Sequence, residues 1–222
     1  MRPKTDRRSR QGEASRRRII EATLELAQER GYTATSIAKV SERSGLPASS
    51  VYWHFESKDA LFAAVIDDSF DRWRRSMPGW EPLGDGQDRR EVVAERIDRA
   101  VASIASNPHF WRLGLMLALE HHPVEPTARQ RFIDIRTRVI DNMDRFWNGV
   151  ITGGGAPDAR SRRLARFTMA VADGLFVAAQ VEGPADLGEL GDILTEVLCQ
   201  AAGRAAGDDD GGAAGTTPTA GP

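Results

Sequence analysis

The sequence has little of several residue types, and each shortage excludes a class of protein. Cys199 is the only cysteine among 222 residues, which excludes an intrachain disulfide or a cysteine zinc cluster. No run of about 18 apolar residues occurs, and no apolar segment follows the basic amino terminus. These absences argue against a spanning helix and a secretory signal. We therefore expect a cytoplasmic protein without membrane contact.

Basic charge is concentrated at the amino terminus, although the chain as a whole is slightly acidic. Lysine is scarce, since Lys4, Lys39 and Lys58 are the only lysines among 30 basic residues, and the formal net charge is −2. Residues 1–18 nevertheless contain eight basic and two acidic side chains. Such asymmetry favours contact of one end with a polyanion, while a plain solvated tail has the same composition. We predict a basic flexible arm over residues 1–12.

The hydrophobic pattern is helical along most of the chain. Between breaks marked by proline, apolar residues recur at steps of three and four, as in Phe132, Ile135 and Val139. Strand-like alternation is scarce, so we expect an all-α protein with about nine helices. The predicted helices are 13–30, 36–43, 47–54, 57–77, 88–106, 108–121, 126–149, 158–182 and 186–202. From residue 203 onward small residues, proline and aspartate dominate, which predicts a disordered tail over 203–222.

The segment from Thr35 to Leu61 carries the most informative pattern. Thr35 or Ser36 can cap a short helix, and Gly45 stands where a tight turn requires left-handed backbone. Pro47 then suits the first turn of a second short helix. Two short helices joined by a turn with glycine form a helix–turn–helix, whose second helix enters the DNA major groove. Any short helical hairpin with a glycine turn gives a similar pattern, so the spacing alone is not decisive.

Three runs in this segment carry a family resemblance. They are Gly31-Tyr32-x-x-Thr35-Ser36-Ile37, Gly45-Leu46-Pro47-x-Ser49-Ser50-Val51 and Tyr52-Trp53-His54-Phe55-x-Ser57-Lys58-x-x-Leu61. Together they resemble the DNA-binding signature of the TetR family of repressors (TetR/AcrR-like). The resemblance implies a three-helix DNA-binding domain over 13–56 and a ligand-binding and dimerisation domain over 57–202. The implied protein is a repressor that binds a palindromic DNA operator as a homodimer and is released by a small-molecule inducer, without a cofactor.

The resemblance also implies which side chains contact DNA. The positions that commonly hold phosphates are occupied by Thr35, Ser50, Tyr52, His54 and Lys58. The positions that face bases are occupied by Pro47, Ala48, Ser49 and Trp53. Hydroxyl groups, a lysine and helix N-termini are suitable phosphate ligands on chemical grounds as well.

The last two long helices are implied to form the dimer interface, and the middle helices a ligand pocket. The interface candidates are Ala165, Met169, Ala172, Gly174, Leu175, Phe176 and Ala179. The pocket candidates are Phe110, Trp111, Leu115, Met116, Leu119, Arg136, Ile140, Met143, Trp147 and Asp173. Plain core packing is the alternative for each apolar member. Arg136 lies in an apolar stripe, so we expect it to pair with Asp173 or Glu120, to receive an acidic ligand group, or to extend to solvent.

An all-helical enzyme is the alternative function, with Glu120 and His121 as acid and base. Glu120-His121-His122 is the only cluster of this type in the sequence. Adjacent helical residues point about 100° apart, so the two histidines do not readily share a metal ion. Metal-ligand spacings and a phosphate-binding glycine loop are absent from the sequence. We therefore predict neither a catalytic nor a metal site.

Overall fold

The structure is a computed structural model that describes residues 4–77, 79–84, 86–120, 127–183 and 187–203, with side chains from residue 9 onward. All regular structure in these ranges is helical, which confirms the all-α prediction. The described helices are α1 (Lys4–Ala34), α2 (Ile37–Ser44), α3 (Ala48–His54), α4 (Lys58–Ser76), α5 (Arg89–Ser106), α6 (His109–Leu119), α7 (Thr127–Thr152), α8 (Ala159–Val181) and α9 (Leu187–Gly203).

The first helix, α1, is longer at its amino end than the sequence pattern predicts. It begins at Lys4, so the described part of the predicted flexible arm, residues 4–12, is helical. Arginine, glutamine and glutamate have high helix propensity, whereas the prediction of an arm weighed only charge. Gly31, with φ 78° and ψ 177°, interrupts the helical geometry near the other end. Residues 1–3 of the arm and 204–222 of the predicted tail lie outside the described residues.

The first three helices form a small domain around a few large apolar side chains. Ile19 and Ile20 of α1, Val40 of α2 and Val51 of α3 are almost completely buried. Phe55, directly after α3, is buried in the same core. Because these residues fix one face of α3 against the core, the opposite face of that short helix is held towards solvent.

The other six helices form a larger domain, in which α7 packs on α4 and α8, and α5 packs on α9. An aromatic cluster lies where α4, α6 and α7 meet. Trp73 of α4 stacks on Phe110 of α6 at 5.5 Å between ring centroids and meets Trp111 edge-on at 5.8 Å. Phe132 of α7 lies 5.5 Å from Phe110. Since α4 begins at Lys58, directly after α3, continuous backbone connects this cluster to the small domain.

Among the described residues, α8 is the one helix that is long and apolar enough to cross a membrane by length and composition. Its apolar residues fall on two faces. Ala165, Met169 and Phe176 are buried in the core, whereas Val177 and Val181 are exposed. A helix that packs on one side and presents an apolar surface on the other has a composition close to that of a spanning helix. We interpret α8 as a core helix with an outer apolar face.

Gly114 in α6 allows a close approach of α7. A Cβ atom at this position would lie 2.0 Å from the ring of Phe132, which is itself packed against Phe110. We expect Gly114→Ala to lower the free energy of unfolding by about 1–3 kcal/mol, because the ring must move in a packed core. Urea denaturation measures the change.

The matched control is Gly188→Ala in α9, where an added Cβ meets no atom within 4 Å. This variant should be neutral or more stable by up to ~1 kcal/mol, since alanine has the higher helix propensity. Equal stability of the two variants would contradict the packing described for Gly114.

Candidate nucleic-acid interface and ligand cavity

The turn between α2 and α3 is fixed by hydrogen bonds. Ser36 caps α2 by accepting a backbone N–H three residues along the chain, and Gly45 ends the helix with φ 66°. The hydroxyl of Ser41 donates to the carbonyl of Leu46 at 2.7 Å, and that of Ser44 donates to the Ser41 carbonyl at 3.3 Å. Sequence reasoning missed this role of the two serines, because a serine inside a short helix carries no distinctive signal. The turn therefore holds α3 at a fixed angle to α2.

The surface of α3 combines exposed aromatic and hydroxyl side chains. Buried Val51 anchors the helix, and Pro47 precedes it with extended backbone. Tyr52 is 58% exposed and Trp53 76% exposed, which is unusual for large aromatic side chains. Of the other candidates on α3, Ser49 is exposed, while Ala48, Ser50 and His54 are half-buried. Seven of the nine predicted DNA contacts therefore lie on α3 or its cap. A helix of this size and surface can enter a DNA groove with its amino-terminal half.

The surroundings of His54 favour its neutral form. Burial, and to a smaller extent the charge of Arg16, lowers the pKa of this histidine below its usual value. Its ring meets the Trp53 ring edge-on, with 4.5 Å between centroids. In its neutral form the imidazole can both donate and accept a hydrogen bond at this surface.

Two predicted phosphate ligands are engaged inside the protein instead. Thr35 is 1% exposed and donates its hydroxyl to the Gly31 carbonyl at 2.8 Å, so its assignment as a side-chain contact to DNA is wrong. Lys58 donates to the Thr33 carbonyl at 3.3 Å, and its amine lies 4.2 Å from the centroid of the Tyr32 ring. Burial lowers the pKa of Lys58. A lysine in the first turn of a helix is unfavourable because its charge opposes the helix dipole. These contacts with the end of α1 compensate for that position of Lys58 in α4.

The amino-terminal part of α1 contributes to the same surface. Gln11, Gly12 and Ser15 line one side of an open groove of about 380 Å³. The other side is formed by Ser49, Ser50, Trp53 and His54 of α3. An added Cβ at Gly12 would lie 3.8 Å from the Trp53 indole, so the helix passes directly beside that ring. The basic residues at the start of the chain are therefore carried by a helix that borders α3.

A nearly closed apolar cavity lies in the larger domain. Its volume is about 20 Å³, which is room for a single water molecule. Its lining comes from helices α4 to α9 and from the connection between α4 and α5: Trp73, Met77, Trp80, Ile97, Ala100, Val101, Ile104, Trp111, Met143, Thr168, Met169, Ala172, Leu175 and Leu194. Thr168 donates its hydroxyl to the Leu164 carbonyl, so it leaves the cavity apolar. A larger ligand can enter only if the walls move apart.

Exposed large apolar residues are concentrated on α8 and α9. Six of the nine such residues in the described ranges lie on these helices: Phe167, Val177, Val181, Leu190, Ile193 and Val197. The other three are Tyr52, Trp53 and Leu119. Clustered exposed apolar side chains mark a surface that binds another molecule.

Comparison with known proteins identifies the small domain. Residues 19–65 match the family model described as bacterial regulatory proteins, tetR family. The chain carries a TetR-family DNA-binding domain. HTH-type transcriptional repressor KstR of Rhodococcus jostii is 33% identical over 89 residues, which cover 39% of this chain and 40% of that protein. The chain thus spans about two fifths of the length of the first curated relatives that it matches.

Solved structures extend the likeness to the larger domain. A TetR transcriptional regulator of Streptomyces avermitilis is 25% identical with a TM-score of 0.62, and the match covers 85% of this chain and 97% of that one. The regulator FadR of Bacillus subtilis, solved in complex with stearoyl-CoA, is 16% identical with a TM-score of 0.60. That match covers 83% of this chain and 97% of FadR. The chain therefore shares the fold of these two structures over most of its length.

The apolar cavity is lined by a different set of residues from the predicted ligand pocket. Of the pocket candidates, Trp111 and Met143 line it, whereas Phe110 and Trp147 pack in the aromatic core outside it. Leu115, Met116 and Ile140 pack partly buried elsewhere, and Leu119 is 83% exposed. Conversely, Met169, Ala172 and Leu175 line the cavity although they were predicted at the dimer interface. An apolar stripe shows that a face is buried, but not which neighbour or cavity it faces.

Arg136 and Asp173 bind each other instead of a ligand. The Arg136 guanidinium donates two hydrogen bonds to the Asp173 carboxylate, at 2.7 Å and 2.6 Å. About a quarter of each side chain is exposed. The internal ion pair, one of the three alternatives expected for Arg136, is the arrangement that the structure contains, and neither residue lines the cavity. The ion pair links α7 to α8.

The predicted interface residues on α8 mostly face inward. Ala165, Met169, Leu175 and Phe176 are buried in the chain's own core, and Ala172 and Ala179 are half-buried. Gly174 is exposed, and an added Cβ there would meet no atom. The sequence pattern does not separate the two apolar faces of α8, and most of the predicted interface residues lie on the inner one.

The candidate acid of the enzyme alternative has a structural contact. The Glu120 carboxylate accepts a hydrogen bond from the Thr33 hydroxyl at 3.4 Å, which ties the end of α6 to α1. His121 and His122 lie outside the described residues. Within the described ranges no group of three His, Cys, Asp or Glu residues could hold a metal ion. The curated relatives are transcription regulators, not enzymes, so the enzyme alternative has no support.

A double-mutant cycle tests the ion pair. Arg136→Met should lower the free energy of unfolding by about 1–3 kcal/mol, because it leaves a partly buried carboxylate without its partner. Arg136→Met combined with Asp173→Leu should cost less than Arg136→Met alone, since no unpaired charge is left. Chemical denaturation of the variants gives the coupling energy. Strictly additive effects would show that the two groups do not interact in solution.

Proposed function

We propose that the chain is a ligand-responsive transcriptional regulator. It acts as a repressor that binds a palindromic DNA operator as a homodimer in the cytoplasm, and a small-molecule inducer releases it. The observation that carries the proposal is the exposed face of α3, with Trp53 at its centre, in a TetR-family DNA-binding domain.

The chemistry of α3 suits the major groove. Ala48 and Ser49 are small, so the backbone at the start of the helix can approach base edges. Trp53 offers a large planar surface to bases, and the hydroxyls of Ser50 and Tyr52 can donate to phosphates. Exposed arginines on α1 border this helix and add attraction for the phosphate backbone, which weakens as salt rises.

The outer faces of α8 and α9 suit a two-fold interface. On α8, Phe167, Gly174, Val177 and Val181 share one stripe at helical spacing, and on α9 Leu190, Ile193 and Val197 form a second. Pairing these stripes with those of a second copy would remove them from water. Two copies joined in this way can present two α3 helices to a palindrome, whose half-sites lie about 34–36 Å apart.

Contacts between the two domains support release by a ligand. Trp73 of α4 and Trp111 of α6 line the cavity, and α4 follows α3 directly. The Gln28 amide lies 2.6 Å from Nδ1 of His109, which connects α1 to the start of α6. Because the cavity is too small for a ligand, binding must displace these helices. A ligand that prefers the displaced arrangement lowers the affinity for DNA by that preference.

The structural relative FadR supports a ligand with a long apolar chain, since it was solved with stearoyl-CoA. An apolar cavity agrees with such a chain. At 16% identity the likeness extends to the fold alone, so the class of ligand depends on this chain's own side chains.

The contact of α3 with bases can be tested on a palindromic duplex selected from random DNA by the wild-type protein. Trp53→Ala should weaken binding to that duplex by about 5- to 100-fold and weaken binding to random DNA much less. Fluorescence anisotropy measures both affinities. Leu119→Ala is the control, because Leu119 is equally exposed but lies at the end of α6. Equal losses on both DNAs for Trp53→Ala would refute base contact by this residue.

The proposed interface can be tested with a charge on its outer face. Ile193→Asp should convert the dimer to a folded monomer at micromolar concentration, because a carboxylate cannot be buried without a partner. The monomer should lose binding to the palindrome. Sedimentation velocity measures the mass. The control is Leu119→Asp, which places the same charge on an exposed apolar residue outside the proposed interface and should stay dimeric. A wild-type monomer, or a dimeric Ile193→Asp variant, would reject this interface.

A further inference from the structure

Three of the tryptophans around the cavity have an unused hydrogen-bond donor. The indole N–H groups of Trp73, Trp80 and Trp111 are buried and have no hydrogen-bond partner among the described residues. All three side chains line the cavity with ring carbons, since its accessible lining is apolar, so their N–H groups meet a ligand only when the rings move. Buried polar groups without partners are costly, so this arrangement suggests a ligand that brings acceptor atoms. Trp147 also has an unpaired indole N–H, but it lies outside the cavity and therefore serves as a control.

An open groove adjoins the cavity on the side of α4 and α7. Trp73, Met77 and Trp80 line both the cavity and this groove, so they form the partition between them. The groove has a volume of about 430 Å³ beside the partition. It continues between the two helices as a space of about 510 Å³, with Arg74 lining both parts. The apolar cavity is therefore separated from a large solvent-filled groove by three side chains only.

The groove contains arginines whose charge is not neutralised. Arg138 has no ion-pair partner among the described residues, and Arg145 bonds only to the neutral amide of Asn142. The carboxylates of the groove each face an arginine already. The pairs are Asp67 with Arg131 at 2.6 Å, Asp71 with Arg74 at 4.0 Å and Glu81 with Arg96 at 3.6 Å. The two free guanidinium groups lie seven residues apart on α7, which places them on one side of that helix.

We propose that the inducer is an anionic amphiphile, with its apolar chain in the cavity and its anionic head group on Arg138 and Arg145 in the groove. This assignment rests on the proposed function and names the ligand class of its cavity. An oxygen atom at the junction of the chain and the head group can accept hydrogen bonds from the indole N–H groups of Trp73 and Trp80 at the partition. Entry of the chain moves Met77 and Trp80 and enlarges the cavity. A purely apolar ligand would leave the arginines and the indole donors unused, and a cation would be repelled.

Isothermal titration of the protein with four probes of equal chain length tests the ligand class. Octanoate and octanoyl-coenzyme A carry anionic heads, octanol a neutral one and octyltrimethylammonium a cationic one. We expect both anions to bind at least 10-fold more tightly than octanol and the cation not to bind. The two anions differ in head group, so the tighter one shows whether a simple carboxylate or a phosphate-bearing group is preferred. Equal affinity for octanol and the anions would overturn the proposal.

Variants that each remove one arginine charge from the groove test where the anionic head group binds. Arg138→Gln and Arg145→Gln should each weaken the anionic probes about 5- to 10-fold and leave octanol unchanged. Arg75→Gln removes the same charge from an exposed position on α4 outside the groove, and it should bind every probe like the wild type. Wild-type affinity of both groove variants for the anions would overturn the assignment.

A matched pair of tryptophan variants tests the role of the indole N–H groups. Trp80→Phe should weaken octanoate several-fold, whereas Trp147→Phe should not, although both remove a buried unpaired N–H. Octanoate affinities that are equal in these two variants would overturn the role of the indole donors. Operator binding without ligand is measured in parallel. If the wild type binds its palindrome but none of the anions, the ligand class is wrong while the proposed function stands, and failure to bind any palindrome would refute the proposed function itself.

Discussion

The packing of Trp73 against Phe110 and Trp111 is the contact on which the rest of the structure depends. It joins α4 to α6 at 5.5 Å and 5.8 Å between ring centroids, and it forms part of the cavity wall. Both helices also hold the small domain, α4 through continuous backbone and α6 through contacts with α1. A ligand that separates these rings must therefore change the position of the small domain. In the proposed function, this constraint is what couples the cavity to the small domain.

Helix α8 lies between the cavity and the surface that we propose as the interface with a second copy of the chain. Its inner face contributes Met169, Ala172 and Leu175 to the cavity, and its outer face carries Val177 and Val181. In the proposed dimer, an expansion of the cavity would press on a helix that also sets the distance between the two copies. The ion pair of Arg136 and Asp173 ties this helix to α7, which limits how far it can move alone. In the proposed function, two alternative packing arrangements of these helices are sufficient to couple ligand binding to DNA binding.

The surface proposed to contact DNA is formed by two helices, α1 and α3, which are separate in the sequence and adjacent in space. α3 supplies the aromatic and hydroxyl groups, while the start of α1 supplies the groove wall and the nearby basic charge. Gly12 lets the backbone of α1 pass beside the Trp53 ring. The position of Trp53 is thus defined by α1 as well as by the turn before α3. Attraction to phosphates and contact with bases would then be exerted from one rigid unit.

The sequence by itself determined the all-α class, most helix positions and the helix–turn–helix, because these depend on local spacing, caps and turn residues such as Ser36, Gly45 and Pro47. The family resemblance added the expectation that Trp53 faces outward from α3, and its side chain is exposed. Only the tertiary structure decided which apolar stripe faces the cavity, the core or solvent, since a helix with two apolar faces has one composition and several possible neighbours. The structure also shows contacts that the family resemblance did not indicate: the Thr35 hydroxyl donates to the Gly31 carbonyl, and the Lys58 amine contacts the Thr33 carbonyl and the Tyr32 ring. The sequence offered both Asp173 and Glu120 as partners of Arg136, and only the packing of α7 on α8 decided for Asp173, because no local pattern records which helices become neighbours.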